Sequence, residues 1–190
     1  MTSPSRVTIH MVASLDGFIA RRDGGVDWLE TVDRFEGGVK MTPELVKDVL
    51  ASIDCYVMGS HTYELALQFE AKGMGWVYGR TPTVVLTSRA LTSTRDTVRF
   101  FDGDVAELLM QLRATHRGIW VVGGGAVCGD VLRRGLADEV RYSIVPIAIG
   151  DGVPFFAGLD RDVPLHLVES TAYVNGMVAL RYEVRRPDGA

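Results

Sequence analysis

The sequence predicts an α/β fold of three layers, with helices on both faces of a mostly parallel sheet and antiparallel strands at its C-terminal end. Up to Gly135, apolar β-rich segments alternate with amphipathic helical segments, as in a parallel sheet built from strand–helix–strand units. Beyond Gly135, three β-rich segments follow one another, and an Asn175-Gly176 turn joins the last two. The 190 residues contain no repeat and no linker, so we expect residues 1–190 to form a single domain.

The expected strands are short segments rich in β-branched, apolar and aromatic residues. They cover residues 6–13, 55–58, 83–87, 98–101, a segment that ends at Val122, and then 139–145, 165–171 and 177–184. The first of these is apolar on both faces, which favours a central position in the sheet. Residues 14–26 contain glycines and charges and are expected to form a loop.

The clearest helix start is Thr42-Pro43-Glu44, where a capping hydroxyl precedes a proline and an acidic residue. An apolar stripe follows at Leu45, Val46, Val49 and Leu50. Further helices are expected over residues 62–69, over 104–116, and from the glycines after Val122 to about residue 134.

Composition excludes several classes of function. The formal net charge of −4 argues against a broad surface for nucleic acid or for an anionic membrane. Cys55 and Cys128 lie in apolar or glycine-rich segments, so buried free thiols in a reducing compartment are expected rather than a disulfide. No signal-peptide pattern and no apolar run long enough to span a bilayer is recognised, which predicts a cytoplasmic protein.

The segment from Ile119 to Cys128 is the strongest indication of a ligand site. An apolar run typical of a buried strand stops at Gly123-Gly124-Gly125, and a helical pattern follows at once. Without side chains at the turn, a ligand can approach the backbone, and the helix N-terminus offers free N–H groups with partial positive charge. These features suit a phosphate or pyrophosphate. From this segment alone, a tight turn that needs glycine only for its backbone angles explains the residues equally well.

Two further strand-to-helix junctions carry hydroxyl groups, Gly59-Ser60-His61-Thr62 and Thr87-Ser88-Arg89. In a parallel sheet such junctions lie at the carboxyl ends of strands, where open α/β folds bind ligands. The hydroxyls could donate to phosphate oxygens, and Arg89 could bind a phosphate through two hydrogen bonds. Alternatively, Ser60 or Thr62 caps a helix and Arg89 is solvated. A Rossmann fingerprint is absent, because Cys128 stands where its third glycine belongs.

Several motifs in order resemble one enzyme family. They are residues 11–20 (MVASLDGFIA), 57–64 (VMGSHTYE), 84–89 (VVLTSR), 122–127 (VGGGAV) and 135–140 (GLADEV), followed by Pro146, Gly150, Gly152 and Phe155-Phe156. This set resembles the reductase domain of bacterial riboflavin biosynthesis, the RibD C-terminal domain-like branch of the dihydrofolate reductase-like superfamily. The resemblance covers most of the chain and implies a dihydrofolate reductase-like fold.

The resemblance also implies NADPH as the cofactor. Gly59, Ser60, His61, Thr62, Val122, Gly123, Gly124, Gly125, Ala126 and Val127 would hold its pyrophosphate. Leu86, Thr87, Ser88 and Arg89 would hold the adenosine 2′-phosphate, and Ala13, Gly17 and Ile19 would lie along the nicotinamide. Asp16, Phe18 and Trp28 would lie on the substrate side. Hydride transfer needs this kind of close stacking in a site that excludes water.

The proton donor is sought among three aspartates. In dihydrofolate reductases an acid follows a tryptophan by five residues, and Trp28 and Asp33 have that spacing, with Asp27 and Asp16 nearby. An acid in an apolar pocket has a raised pKa and can pass a proton to a ring nitrogen. The alternative is that Asp27, Glu30 and Asp33 are solvated. The four histidines and two cysteines show no metal-ligand spacing, so no metal is expected.

Two departures from the family bear on the substrate. Phe18 stands where riboflavin reductases usually have lysine, so Arg21 and Arg22 would have to supply cationic contacts, or the substrate is more apolar. The zinc deaminase motif often fused to such reductases is absent from these 190 residues. We expect an NADPH-dependent reductase of a small heteroaromatic or carbonyl-type substrate, possibly a pyrimidine or pteridine. The alternatives are a non-catalytic NADPH-binding or regulatory module and a true dihydrofolate reductase. A homodimer paired through the C-terminal strands is also expected.

Overall fold

A computed structural model describes residues 4–185, so residues 1–3 and 186–190 of the expected domain lie outside the described part. The strands are β1 (Arg6–Ser14), β2 (Phe18–Ala20), β3 (Cys55–Gly59), β4 (Thr83–Leu86), β5 (Val98–Phe101), β6 (Gly118–Val121), β7 (Glu139–Val145), β8 (Val153–Pro154), β9 (Leu165–Ala172) and β10 (Val178–Val184). The α-helices are α1 (Pro43–Ala51), α2 (Ser60–Phe69), α3 (Val105–Arg113) and α4 (Gly125–Arg133). Asp27–Leu29 forms a 3₁₀ turn and Glu70–Met74 a wider turn that extends α2.

Eight strands form one sheet in the order β5-β4-β3-β6-β1-β7-β10-β9. From β5 to β7 all neighbours are parallel, whereas β10 pairs antiparallel with both β7 and β9. The predicted fold class is therefore confirmed, including the antiparallel C-terminal strands and the central position of β1.

Two apolar clusters cover the two faces of the sheet. On one face, Val7, Ile9 and Val121 pack with α3 and α4, whose buried side chains include Leu108 and Val131. On the other face a cluster around Met58, Trp120 and Tyr63 packs beneath α2. Both cysteines are buried and free, as the sequence predicts.

Side-chain caps define two of the helix starts. Thr42 Oγ1 accepts a hydrogen bond from the backbone N–H of Leu45 at 3.3 Å, which confirms the predicted cap of α1. Asp104 accepts from the N–H of Ala106 at 2.8 Å at the start of α3. Such caps satisfy N–H groups that have no partner within the helix.

Several expected boundaries are wrong by one to three residues. β1 extends to Ser14, α2 begins at Ser60 rather than residue 62, and α3 ends at Arg113 rather than residue 116. The expected loop 14–26 contains β2, which pairs antiparallel with β8. A three-residue strand has too little periodicity to be recognised, and its partner lies more than 130 residues away in the chain.

The apolar stripe of α1 is less buried than an amphipathic pattern of this kind predicts. None of the residues of α1 is buried, and Leu50 is 52% exposed. The stripe nevertheless faces the sheet, because Leu45, Val46, Val49 and Leu50 line a cavity between the helix and the sheet face. The helix thus covers an open space instead of a packed layer.

The core of α3 allows a test of the fold. Leu108 is fully buried, so Leu108→Ala should lower the free energy of unfolding by about 2–5 kcal/mol in denaturant titrations. Met110 on the same helix is 68% exposed, and Met110→Ala should change that free energy by no more than about 0.5 kcal/mol. Equal effects of the two substitutions would contradict the orientation of α3.

Candidate functional site

Backbone hydrogen bonds bring two of the predicted junctions together. The N–H of Gly59, at the end of β3, donates to the carbonyl oxygen of Gly123 at 2.8 Å. One residue before Gly123, the N–H of Val122 donates to the carbonyl oxygen of Val57 at 2.9 Å. Since β3 and β6 are parallel neighbours, the β3–α2 and β6–α4 turns therefore lie side by side at the carboxyl edge of the sheet.

The space around these turns is too small for most side chains. A Cβ on Gly123 would lie 3.1 Å from both Thr62 Oγ1 and Met11 Sδ, and its φ of +117° also favours glycine. A Cβ on Gly59 would lie 3.3 Å from Val127 Cγ2. The starts of α2 and α4 are consequently close neighbours, with only backbone and small groups between them. The peptide bond between Gly123 and Gly124 is cis.

The starts of α2 and α4 differ from those of α1 and α3. Their N-cap residues are Gly59 and Gly124, and neither helix has a side-chain cap among the described residues. The alternative in which Ser60 or Thr62 caps α2 is thus not what the structure shows. Uncapped N–H groups of two adjacent helices carry partial positive charge toward the same space, which favours an anion.

Gly125 has a different reason to be glycine. A Cβ there would lie 2.0 Å from the carbonyl oxygen of Pro154, because α4 packs directly against the β8 segment. Gly129, one turn later, meets the carbonyl oxygen of Ala157 in the same way, at 1.9 Å. For Gly125, close packing of two backbones therefore explains the residue without any ligand, whereas Gly59 and Gly123 face the space between the helices.

The third junction, after β4, connects to α2 through an ion pair. Arg89 Nη2 donates to Glu64 Oε1 at 2.5 Å, and the N–H of Arg89 donates to Thr87 Oγ1 at 3.0 Å. This hydrogen bond from Arg89 to Glu64 lowers the pKa of Glu64 and raises the pKa of Arg89. Half of the Arg89 side chain remains exposed, and Ser88 beside it is exposed. The loop that begins at Leu86 therefore holds a fixed guanidinium near the start of α2.

The segment after β1 is held by Asp16. Its carboxylate accepts from Ser14 Oγ at 2.5 Å and from the backbone N–H groups of Ile149 at 3.2 Å and Gly150 at 2.7 Å. The hydrogen bond from Ser14 is the main cause of a lowered pKa of Asp16, since it stabilises the charged form. An ionised Asp16 thus fixes the turn that leads through Gly17 into β2, where Phe18 is half-buried and Ile19 is buried.

The other two aspartates are at the surface. Arg21 donates to both carboxylate oxygens of Asp27, at 2.7 and 2.9 Å, and this contact lowers the pKa of Asp27. Asp33 is exposed and borders a shallow surface groove together with Val174 and Asn175. Trp28 between them is buried. The tryptophan–aspartate spacing therefore does not bring Asp33 into an enclosed apolar space here.

A cavity of about 600 Å³ opens beside the glycine-rich turn, on the sheet face opposite Ala13. Val12 of β1 and Val122, which precedes Gly123, line its end near the turn. Its walls are mostly apolar, from Trp120, Tyr56 and the stripe of α1, and its polar side chains include His10, Ser143 and Arg141. The three predicted aspartates, Phe18 and Trp28 do not line it. A partly open, mostly apolar cleft that also carries polar side chains is typical of a small-molecule site.

Sequence reasoning missed this cavity, although part of the signal is present. His10 and Val12 alternate with Ile9 and Met11 in β1, so they must share one face of the sheet. The position of Arg141 and Ser143 beside them follows only from the pairing of β1 with β7. In that pairing His10 lies opposite Arg141 and Val12 opposite Ser143.

His10 is the histidine in this cavity. Its ring lies 4.9 Å from that of Trp120, and its Nε2 lies 3.5 Å from Ser143 Oγ. Burial, with a smaller contribution from the charge of Arg141, lowers the pKa of His10 to about 4. The imidazole is therefore neutral at pH 7 and can accept or donate one hydrogen bond to a bound molecule.

This shift makes stability depend on pH. The unfolded chain takes up a proton on His10 near its ordinary pKa of 6.5, whereas the folded protein does so only near 4. The free energy of unfolding should therefore fall as the pH drops from 6.5 to 4, by up to about 3 kcal/mol from this group. Denaturant titrations across this range should show a smaller fall for His10→Gln. His166→Gln, an exposed control on β9, should keep the fall of the unmodified protein; loss of the fall there too would contradict the assignment.

Two features are absent from residues 4–185. No group of three or more His, Cys, Asp or Glu side chains in this range is arranged to hold a metal ion. Likewise, none of the helices described is both long and apolar enough to cross a bilayer.

Two solved structures share this fold. A protein of Shewanella sp. PV-4 provisionally assigned to riboflavin biosynthesis shares the fold with a TM-score of 0.79 and 24% identity, over 95% of this chain and 99% of its own. A Thermotoga maritima diaminohydroxyphosphoribosylaminopyrimidine deaminase/5-amino-6-(5-phosphoribosylamino)uracil reductase matches with a TM-score of 0.66 and 18% identity, over 96% of this chain and 57% of its own.

Sequence relatives cover nearly the whole chain. Two uncharacterized Bacillus subtilis proteins, YyaP and YwjB, are 25% and 26% identical, and the matches cover 93% of this chain and 94% and 97% of theirs. The sequence model of the RibD C-terminal domain matches residues 5–179. The resemblance stated from the motifs is confirmed, and the chain belongs to the RibD C-terminal domain family.

Proposed function

We propose that this protein is an NADPH-dependent reductase that transfers a hydride to a small heteroaromatic or carbonyl-type substrate, of pyrimidine or pteridine type. The observation that carries the proposal is the meeting of two uncapped helix starts and the Arg89 loop at one sheet edge, beside an apolar cavity. Membership of the RibD C-terminal domain family supports a reductase, as does the reductase activity in the name of the Thermotoga maritima relative.

The junctions fit a pyrophosphate. The N–H groups at the starts of α2 and α4 and the hydroxyl of Thr62 would donate to its oxygens, with Ser60 and the exposed His61 at the rim. Glycine at positions 59 and 123 lets the starts of α2 and α4 lie close together, so both would reach the same pyrophosphate. Gly124, Ala126 and Val127 would complete this turn.

The loop after β4 fits the adenosine 2′-phosphate. Thr87 and Ser88 would donate hydroxyl hydrogen bonds, and Arg89 would pair with the phosphate through its planar guanidinium. Arg89 is already oriented by Glu64, and half of its side chain remains accessible. A dianion placed beside it would compete with Glu64 for the same guanidinium.

The cavity fits the substrate. When bound, NADPH supplies a hydride from its nicotinamide, and the residues of this chain position the acceptor. Val12 and Val122 would hold a flat ring next to the turn, and the apolar walls would keep water from it. His10 and Ser143 would orient the ring by hydrogen bonds, since both polar groups face the cavity. Ala13, Gly17 and Ile19 stay proposals for the nicotinamide, and Ala13 lies on the sheet face opposite the cavity.

The proton that accompanies the hydride has several possible sources. Asp33, Asp16 and Asp27 stay proposals, but their positions favour solvent as the immediate donor. Asp16 and Asp27 have lowered pKa values because of hydrogen bonds, from Ser14 and Arg21 respectively, and Asp33 is exposed. A carboxylate with a lowered pKa is a weak acid catalyst at neutral pH.

A non-catalytic NADPH-binding module is the second candidate, favoured by the fact that none of these three aspartates lines the cavity. Oxidation of NADPH with a panel of pterins, pyrimidines and carbonyl compounds separates the two functions. Turnover with any of them supports the enzyme, and binding of NADPH without turnover supports the module.

A homodimer remains a further proposal. β9 forms an edge of the sheet, and Leu165, Leu167 and Val168 are exposed there, which suits pairing with a second copy.

The nucleotide site is tested by melting curves with NADPH and NADH. NADPH at a hundred times its dissociation constant should stabilise the fold by about 2.7 kcal/mol, and the melting temperature should rise accordingly. NADH lacks the 2′-phosphate and hence its charge-assisted hydrogen bonds to Arg89, so it should bind about tenfold more weakly or worse.

Arg89→Gln should remove most of this preference while leaving NADH binding unchanged. Arg80, a surface arginine paired only loosely with Asp96 at 3.8 Å, offers the matched control Arg80→Gln. If neither nucleotide raised the melting temperature, the proposed function would be wrong. Equal shifts with both would remove only the 2′-phosphate assignment.

A further inference from the structure

The cavity between α1 and the sheet has a second cover beside the helix. It comes from the connection between the Glu70–Met74 turn and β4, in which Val77 and Tyr78 line the cavity. We call residues 75–80 the flap. Val77, like Leu50 of α1, is exposed although it lines the cavity. On this side, therefore, a single layer of side chains separates the cavity from solvent.

The backbone of the flap is not tied to the sheet. Its N–H group at Gly79 donates to the carbonyl oxygen of Trp76 at 3.2 Å, which is a turn within the flap itself. In the described part of the chain, no backbone hydrogen bond joins residues 75–80 to the sheet or to α1. The chain is fixed again just before β4, where the N–H of Tyr56 donates to the carbonyl oxygen of Pro82 at 2.8 Å. The flap is thus a loosely held segment between two fixed points.

Glycines stand at both ends of the part that covers the cavity. Gly75 and Gly79 have φ angles of +73° and +56°, in the left-handed region that favours glycine. A Cβ on either residue would meet no atom within 4 Å, so close packing is not the reason for glycine here. Residues with this freedom can absorb the changes in φ and ψ at a hinge. The three residues between them, Trp76, Val77 and Tyr78, can therefore move together.

Ring contacts hold the flap in its present position. The Trp76 ring lies 6.0 Å from that of Tyr63 on α2, and the guanidinium carbon of Arg95 lies 4.5 Å from its centre. The Tyr78 ring lies 4.8 Å from that of Tyr56 on β3, which is buried. Burial also raises the pKa of Tyr78 to about 12, because it disfavours the charged phenolate. Side-chain contacts alone therefore keep the flap closed over Tyr56.

One polar group makes the closed position less favourable. The indole Nε1 of Trp76 is buried and has no hydrogen-bond partner among the described residues. A buried N–H without an acceptor costs free energy, which water would return if the ring became exposed. Outward movement would break the ring contacts but solvate this N–H. The open and closed positions are thereby brought closer in free energy.

We propose that residues 75–80 are a gate, which swings outward about Gly75 and Gly79 to admit a ligand and then closes Tyr78 over it. The open position uncovers Tyr56 and the part of the cavity beside it. Closure places Val77 and Tyr78 between the ligand and solvent, as a reaction that excludes water requires. That the admitted molecule is the substrate rests on the proposed function, whereas the motion of the flap does not.

Fluorine relaxation-dispersion measurements on the whole protein, labelled with 5-fluorotryptophan, detect this motion without a ligand. The Trp76 resonance should show exchange on the microsecond-to-millisecond timescale of lid movements. Trp28 is the matched reference, because its Nε1 is also buried without a partner among the described residues but lies outside the flap. Its resonance should show no such exchange. Equal behaviour of the two resonances would overturn the proposal.

The hinge is tested by Gly79→Ala, since alanine is strained at the positive φ of the closed position. The substitution should raise the population of the open position and so increase the exchange of the Trp76 resonance. Gly135→Ala is the matched control, because Gly135 has a φ of +67° and equally open space but follows α4 on the other face of the sheet. It should leave the Trp76 resonance unchanged. The same result for both substitutions would contradict a hinge at Gly79.

Uptake of a neutral apolar dye, N-phenyl-1-naphthylamine, tests whether the flap controls access. Tyr78→Ala should speed association of the dye about tenfold or more, because a gate that is open for about a tenth of the time slows uptake by that fraction. Tyr173→Ala is the matched control, since Tyr173 also lines the cavity but lies next to β9, and it should leave the rate unchanged. The gate is wrong if the two variants take up the dye equally fast, or if no variant binds it.

Melting curves with NADPH separate the gate from the proposed function. Tyr78→Ala should keep the NADPH shift of the unmodified protein, because Tyr78 belongs neither to the two helix starts nor to the Arg89 loop. A protein with a mobile Trp76 and no NADPH shift would keep the gate and lose the reductase. A normal NADPH shift with a static Trp76 would do the reverse.

Discussion

The hydrogen bond from the Gly59 N–H to the Gly123 carbonyl is the contact on which the candidate site depends. It holds two strand-to-helix turns so close that a Cβ on either residue would press on Val127, Thr62 or Met11. Neither helix start receives a side-chain cap among the described residues, so their N–H groups are directed at the same narrow space. With glycine at the N-cap, the missing side-chain cap costs each helix only about a few tenths of a kcal/mol, and a bound anion would add more stability than that. The two uncapped helix starts thus support the proposed anion site at this turn.

A second consequence of the architecture is the open space beneath α1. Its stripe follows the ordinary helical periodicity, yet the helix has no buried residue because the opposing sheet face carries the polar side chains of His10, Arg141 and Ser143. Apolar side chains cannot pack closely on such a surface without burying polar groups that lack partners. A cavity remains instead, apolar toward the helix and polar at its floor. His10 is neutral for a related reason, because burial beside Arg141 disfavours a second positive charge.

Glu139 connects the polar residues at the sheet side of the cavity to neighbouring strands. A fully buried carboxyl group stays ionised only when donors surround it, and three arginines from β1, β7 and β10 supply them. The same contacts hold two guanidinium groups in register at the edge of the cavity. The buried charge of Glu139 therefore keeps these arginines in place.

The sequence by itself determined the order of the four helices and of the eight strands of the main sheet, the parallel and antiparallel parts of that sheet, and the three junctions at its carboxyl edge. Local periodicity, the Thr42 cap and the glycines at 123–125 carry that information within a few residues of each position. It could not decide whether each glycine serves a ligand or packing, and only tertiary contacts separate Gly123 from Gly125. The three aspartates, chosen from spacing, lie outside the cavity for a related reason: spacing does not fix the path of the long segment 21–42. His10, Arg141 and Arg181 come from strands up to 171 residues apart, so their meeting follows from strand pairing alone. The residues proposed to hold a nucleotide lie next to glycine turns and are recognisable locally, whereas the residues that line the cavity are brought together only by the folded sheet.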